Sequence, residues 1–204
     1  MLFNSINFAI FLPIVFILYW FVFNRNLSGQ NLFLLVSSYV FYGWWDWRFL
    51  FLLFLISVCN YFIAILIQGN DQKPLRKFLF ITGLVINIGT LVIFKYFNFF
   101  IDGITNLISL TGVNVNPQTL NIILPIGISF YIFLSSSYII DVYQHKTSPE
   151  RNFVNVLLTL SFFPIIFAGP IQRPIGLLPQ IQKIRLFKAR NCRYQLIKIC
   201  QLIQ

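Results

Sequence analysis

The chain is 204 residues long, 58% hydrophobic and only 10% charged, with 25 Phe, 9 Tyr and 4 Trp and a mean hydropathy of +0.78. Its fifteen basic and five acidic residues are too few to solvate a globule of 23.9 kDa in water, where charged residues run nearer ~25%. Composition therefore excludes an ordinary soluble domain and predicts an all-α integral membrane protein.

Residues 5–23 are the first uncharged stretch of spanning length, since ~20 residues rising ~1.5 Å each cross a hydrocarbon core of ~30 Å. No Lys or Arg precedes them, so they read as a retained helix rather than a signal peptide. Arg25 and a short polar link, Asn26 to Asn31, lead to a second span at 32–45. Trp44, Trp45 and Trp47 around Asp46 and Arg48 have the pattern of an interfacial aromatic belt with a tight turn. A third span, 49–67, ends at Gly69, Asn70 and Asp71, and the loop expected after it holds Lys73, Arg76 and Lys77. The fourth, 78–100, includes Lys95, whose long stem lets the ammonium snorkel to the interface. Residues 102–121 form a polar-leaning link to a fifth span at 124–142.

The apolar run 153–168 lies between basic flanks and is broken by Pro164, then Gly169 and Pro170. This predicts a re-entrant hairpin over 153–172, irregular backbone at membrane depth being tolerated only where protein or a water-filled cavity satisfies it. A Pro-kinked spanning helix is the alternative. The last segment, 173–204, carries Arg173, Lys183, Arg185, Lys188, Arg190, Arg193 and Lys198 with no acid, so most of the +10 net charge is a basic amphipathic tail. Membrane lipid is the expected partner of that tail, at about 1 kcal/mol per cation near an anionic surface. Nucleic acid is not, because the tail follows membrane segments directly and brings no exposed groove of polar readers.

Loop charge sets the expected orientation. With the N-terminus outside, Arg25, Lys73, Arg76, Lys77, Lys146, Arg151 and the tail all fall in the cytoplasm, leaving Arg48 and Lys95 near the outer side. Cys59, Cys192 and Cys200 show neither a CxxC spacing nor a Cys/His cluster, so neither a disulfide framework nor a metal site is expected.

Chemistry concentrates between residues 124 and 174. Pro125 and Gly127 loosen a helix start, and Ser129, Tyr131, Ser135, Ser136, Ser137 and Tyr138 place hydroxyls along an apolar span. Such hydroxyls can bond back to their own helix, so packing accounts for most of them. Asp141 is different, because an ionisable group at the end of a membrane helix calls for a partner, with Lys146, Arg151 and Arg173 as the cationic candidates. His145 sits in the hydrophilic loop YQHKTSPERN without a carboxylate or nucleophile at helical spacing, and reads as a solvated loop residue.

LPIGISFY at Leu124 to Tyr131, SYIIDVY at Ser137 to Tyr143, PERN at Pro149 to Asn152 and SFFPIIFAGPIQRP at Ser161 to Pro174 together resemble the membrane-bound O-acyltransferase (MBOAT) family. The resemblance is to its bacterial branch of alginate O-acetylation and teichoic-acid D-alanylation. The N-terminal FNS and FLPIVFILYW pieces and SYVFYGWWDWRF around Tyr39 to Phe49 fit the same branch in the same order. The resemblance implies a multi-pass enzyme of the bacterial inner membrane that moves an acyl group toward an acceptor on the far side. No bound cofactor is implied; the donor would be acetyl-CoA or an acyl-carrier thioester. The acceptor would be an extracytoplasmic polysaccharide, and the partner a periplasmic acyltransferase.

It also implies a catalytic His deep in the membrane, well downstream of the GPIQRP-like motif. The chain ends at Gln204, and the run YQLIKICQLIQ after Arg193 is too short to span, so no catalytic residue is assigned and these residues alone are expected to be inactive. His145 stands where relatives carry a small or basic residue, and Leu134 where many carry Gln. The donor-path candidates are Arg173, facing the cytoplasmic mouth and attracting an anionic donor, with Asp141, Ser129 and Tyr131. The competing classes are a non-catalytic membrane scaffold and a transporter or channel subunit. The latter calls for ionisable groups at mid-bilayer, whereas Asp46, Arg48, Lys95, Asp102 and Asp141 fall near span ends.

Overall fold

A computed structural model describes residues 5–23, 26–44, 46–109, 127–168, 173–183 and 185, and among these every regular element is a helix. In chain order they are α1 (Ile6–Ile17, running into a π-helical turn at Leu18–Val22), α2 (Leu27–Gly43), α3 (Arg48–Gly69), α4 (Lys73–Ser109), α5 (Ile128–Tyr143), α6 (Phe153–Ser161), α7 (Phe163–Ala168) and α8 (Pro174–Ile181). Two are long and apolar enough to cross a membrane: α3, with a mean hydropathy of 2.7, and Lys73–Tyr96 of α4, with 2.0. Ile6–Val22, Ile128–Tyr143 and Phe153–Ile166 are apolar but shorter.

The starts of the helices follow local chemistry. Ser5 Oγ accepts from the Phe8 N–H at the head of α1, Asn26 Oδ1 from Ser28 N–H at α2, and Asn152 Oδ1 from Val154 N–H at α6. Between α2 and α3, Asp46 Oδ1 accepts from the Arg48 N–H at 3.0 Å, while the Arg48 guanidinium pairs with the same carboxylate at 2.8 Å. Trp44 and Trp47 lie exposed beside this turn.

Three boundaries differ from the sequence reading. Asn26 to Asn31 are not a link: α2 starts at Leu27, and Gln30 and Asn31 are buried. The protein meets both atoms of the Asn31 amide and the Gln30 Nε2, while Gln30 Oε1 is buried without a partner. Lys73, Arg76 and Lys77 belong to the first turns of α4 rather than to a loop, with Pro74 tolerated where helix N–H groups lack intrahelical partners anyway. At its far end α4 carries on through residues 102–109, the first part of the expected polar link. The remainder of that link, together with Arg25, Leu124, Pro125, Trp45, Gly169, Pro170, Cys192, Cys200 and the tail from 186, lies outside the described residues.

α5 is the central helix, packing on α3 and α4 and meeting α6, α7 and α8. Towards its C-terminal end Leu134, Tyr138, Ile139 and Val142 pack with Ile63, Ala64 and Ile67 of α3 and Val156 of α6. Towards its N-terminal end Ile128, Tyr131 and Ile132 pack with Tyr42, Leu53, Ile56 and Ile166. α4 packs on this core with Leu79, Phe80, Ile86, Leu91 and Phe94, and approaches it most closely at two further residues. Gly83 packs closely on α5: a Cβ there would stand 2.6 Å from Ile139 Cδ1, and that side chain would have to shift. One turn on, the buried amides of Asn87 and Asn60 exchange two hydrogen bonds of 2.9 Å. The rest of Lys73–Tyr96 is largely open to its surroundings, with Phe78, Val85 and Ile93 among its exposed apolar side chains.

Candidate functional site

α6 and α7 lead away from one end of the bundle, and α8 returns to it. α6 is nine residues, about 14 Å at ~1.5 Å per residue, and Val156 through Ser161 are all buried. Phe162 is extended, with ψ at 109°, and this break lets Pro164 enter the first turn of α7. The helix therefore breaks just ahead of the proline. Ile166 of α7 then lies beside Gly127, the left-handed residue (φ 76°) at the head of α5, where an added Cβ would stand 2.9 Å from the Ile166 carbonyl oxygen. α8 comes back so that Ile181 meets the start of α6. Asn31 joins the two feet: its Nδ2 donates to Asn155 Oδ1 at 2.9 Å and to the Ile181 carbonyl at 3.1 Å. Glu150 and Gln182 make a further hydrogen bond between the feet.

The tail is anchored here as well. Arg185 donates to Asn31 Oδ1, accepts from Gln30 Nε2 at 3.1 Å through its own carbonyl, and lies 5.6 Å from the Tyr19 ring centroid. Burial pulls the Arg185 pKa below its ordinary value.

The loop from Gln144 to Asn152 covers the same end. The Tyr138 hydroxyl accepts from the Glu150 N–H at 3.1 Å, and the Tyr61 hydroxyl donates to the Arg151 carbonyl at 2.9 Å. A cleft of 390 Å³ opens between this loop, the end of α3 at Gln68 and α8, with Glu150, Arg151 and Gln182 on its polar side.

The sequence-predicted site residues are not brought into one cluster. Ser129 is half-buried and Tyr131 is buried, both in the first turns of α5, whereas Asp141 is buried in the last turn of that helix. Ten residues separate Tyr131 from Asp141, about 15 Å along the axis. Arg173 is exposed at the head of α8. The Asp141 carboxylate has no ion pair with Lys146, Arg151 or Arg173: among the described residues Arg48–Asp46 is the one ion pair, and Asp141 Oδ2 has no hydrogen-bond partner. The main chain is what engages Lys146, its N–H donating to the Asp141 carbonyl at 2.9 Å.

The hydroxyls of α5 depart from the back-bonding expected of them. Ser37, Ser38, Ser57, Thr159 and Ser161 each donate to the carbonyl four residues earlier. Tyr131, Ser135 and Ser136 have no such partner, although all are buried. Tyr131 and Ser135 stand at i and i+4, so α5 carries a buried polar stripe without acceptors.

His145 is exposed in the loop, with φ at 56°, and its Nε2 lies 2.7 Å from Arg76 Nη2. Cys59 is a free thiol of α3, and among the described residues no group of His, Cys, Asp or Glu is arranged to hold a metal ion. Sequence reasoning missed the Asn31, Asn155 and Arg185 assembly and the Asn60–Asn87 pair. The available signal was an Asn inside an otherwise uncharged apolar run, a costly residue in lipid unless another helix meets it.

Over 180 residues, 85% of the chain, the sequence is 41% identical to the probable alginate O-acetylase AlgI of Pseudomonas syringae pv. tomato. Over 179 residues it is 40% identical to the protein of the same name from Pseudomonas aeruginosa. The peptidoglycan O-acetyltransferase of Helicobacter pylori is 29% identical over 221 residues, covering 95% of the chain. The chain spans 33% of the length of these two alginate relatives and 40% of the Helicobacter protein. No family model and no solved structure matches.

Proposed function

Since the chain belongs to the membrane-bound O-acyltransferase family, we propose that it forms the donor-facing part of a bacterial inner-membrane O-acetyltransferase acting on an extracytoplasmic polysaccharide. The observation that carries this reading is homology along 85% of the chain to proteins named as alginate O-acetylases. In the proposed topology α1 to α5 cross the membrane five times with the N-terminus outside. The end holding Arg76, Arg151 and Arg185 faces the cytoplasm, in keeping with the distribution of loop charge. The segment from α6 to α8 enters and returns as a re-entrant hairpin, its two feet tied at the cytoplasmic end by Asn31.

An acetyl donor, acetyl-CoA or an acyl-carrier thioester, approaches from that end. Arg173 attracts it, while Ser129, Tyr131 and Asp141 line the path on α5, where Tyr131 and Asp141 offer buried polar atoms without partners. A periplasmic acyltransferase takes the group onward. His145, the sole histidine of these residues, is exposed in a loop and is not the family's buried catalytic His. Residues 1–204 alone therefore transfer no acyl group.

The test replaces the aligned third of a Pseudomonas alginate O-acetylase with this chain and measures alginate acetyl ester in cells lacking the native protein. Restored acetylation supports the reading; a chimera that inserts and folds yet leaves alginate unacetylated overturns it. In the same chimera Arg173→Ala and Arg173→Lys test the donor role, and unchanged donor affinity and turnover in both remove Arg173 from the path.

A further inference from the structure

Lys73, Arg76 and Lys77 stand at i, i+3 and i+4 of α4, a spacing that turns three cations to one side of the helix. Together with Tyr143 and His145 they line a pocket of 330 Å³ into which no carboxylate faces. Arg76 is held in place: its Nη2 donates to the Tyr143 carbonyl at 3.2 Å and to His145 Nε2 at 2.7 Å, and its guanidinium carbon lies 5.7 Å from the Tyr143 ring centroid. Tyr143 is itself stacked on Phe80, with centroids 4.2 Å apart and planes 14° from parallel.

A guanidinium can only donate, so His145 Nε2 is the acceptor in this contact. The pocket thus carries three positive charges, like charges at helical spacing that repel one another, and among the described residues none of the three has an ion pair. Arg76 Nε is buried without a hydrogen-bond partner. An anion with several acceptor oxygens would relieve the repulsion and use the free donors at once. A phosphate group has that charge and geometry: the Lys73 and Lys77 ammoniums and Arg76 Nη1 remain as donors, Nη2 being engaged by Tyr143 and His145.

We infer that the pocket formed by Lys73, Arg76, Lys77, Tyr143 and His145 is a recognition site for a phosphate group, borne either by the headgroup of an anionic lipid or by a soluble phosphate compound. The site does not depend on the acyl-transfer reading, because binding is measured on the chain itself.

The experiment uses the full 204-residue chain in two arms. In detergent, binding of inorganic pyrophosphate is followed by isothermal titration; in nanodiscs, retention of phosphatidylglycerol against phosphatidylcholine is followed by native mass spectrometry. Saturable pyrophosphate binding identifies a soluble phosphate compound, and selective retention of phosphatidylglycerol alone identifies the lipid headgroup. Either signal is expected to fall about tenfold or more in Arg76→Gln and in the pair Lys73→Gln with Lys77→Gln, the loss typical of charge-assisted hydrogen bonds. The Lys pair retains the Arg76 contact to α5, so it reads binding even where Arg76→Gln weakens the fold. Lys95→Gln, which removes an exposed cation at the other end of α4, outside the pocket, is expected to leave binding unchanged. The inference is overturned if neither probe binds, if the pocket variants bind as well as the parent, or if Lys95→Gln lowers binding as much as they do.

Discussion

At one end of the bundle Asn31, Asn155, Arg185 and the Ile181 carbonyl meet in a buried hydrogen-bonded group; at the other, Phe8, Phe11, Phe41 and Phe163 meet ring to ring. Phe41 lies 5.8 Å from Phe8, 5.8 Å from Phe11 and 5.0 Å from Phe163 between centroids. Both groups join the segment 153–168 to α2, yet they resist change in different ways. A ring cluster loses contact area gradually as side chains shrink. A polar group bound on all sides in a dry interior leaves its partners unsatisfied when a single member is removed. The aromatic end is therefore governed by shape and the basic end by pairing.

The largest effect is expected where shape is least forgiving. Gly127→Val puts a β-branched residue at φ 76° and drives its Cβ against Ile166, and should cost about 3 kcal/mol or more, or prevent folding altogether. Thermal unfolding in detergent reads this directly; a variant as stable as the parent would show that the α5 head is not built around glycine.

Next comes Phe41→Ala, expected to cost about 3 kcal/mol through the cavity it leaves among the rings. Asn31→Leu should cost about 2 to 3 kcal/mol, because Asn155 and Arg185 lose a buried partner. What separates the two ends is the size of the coupling. Asn31→Leu with Asn155→Leu should cost clearly less than the sum of the single changes, a coupling larger than the ~0.5–1.5 kcal/mol expected of the contacting rings in Phe41→Ala with Phe163→Ala. Additive costs at the basic end would dissolve the contrast.

Between the two ends, Asn60→Leu should destabilise by about 1 kcal/mol and Asn60→Leu with Asn87→Leu by less, since the single change strands Asn87, whose amide is paired with Asn60 across α3 and α4, while Asn60 also donates to the Ile56 carbonyl of its own helix. The smallest effect belongs to the exposed Asp46–Arg48 pair. Hydrogen bonds from Arg48 hold the Asp46 carboxyl below its ordinary pKa, so the pair contributes at pH values above the usual carboxylate range and its contribution is lost as pH falls through the depressed value. Asp46→Asn should remove that acid dependence and leave the melting temperature near neutrality almost unchanged.

The helices could be read from composition and run length because lipid selects for apolar length, which a sequence displays openly. Their starts were harder. Gln30 and Asn31 looked like linker residues, since nothing in the local sequence announces partners that lie 124 residues and more away in the chain. Lys73, Arg76 and Lys77 likewise looked like loop charges, although their spacing already fits one helical face. The expectation that Asp141 faces a nearby cation came from its cost in lipid, and that cost does not say where a cation will be. The break at Phe162, by contrast, was visible within two residues, because Pro164 constrains the chain locally.

A helix of nine residues enclosed as fully as α6 has an order of assembly written into it. About 14 Å of helix cannot span a bilayer as an independent unit, and its buried residues have no use for lipid. α3 and Lys73–Tyr96 of α4 are, by contrast, long and apolar enough to cross a membrane by themselves. α6 takes its surroundings from α2, α3 and α8, so its docking should come late and cooperatively, and hydrogen exchange should find it opening as one unit with α8.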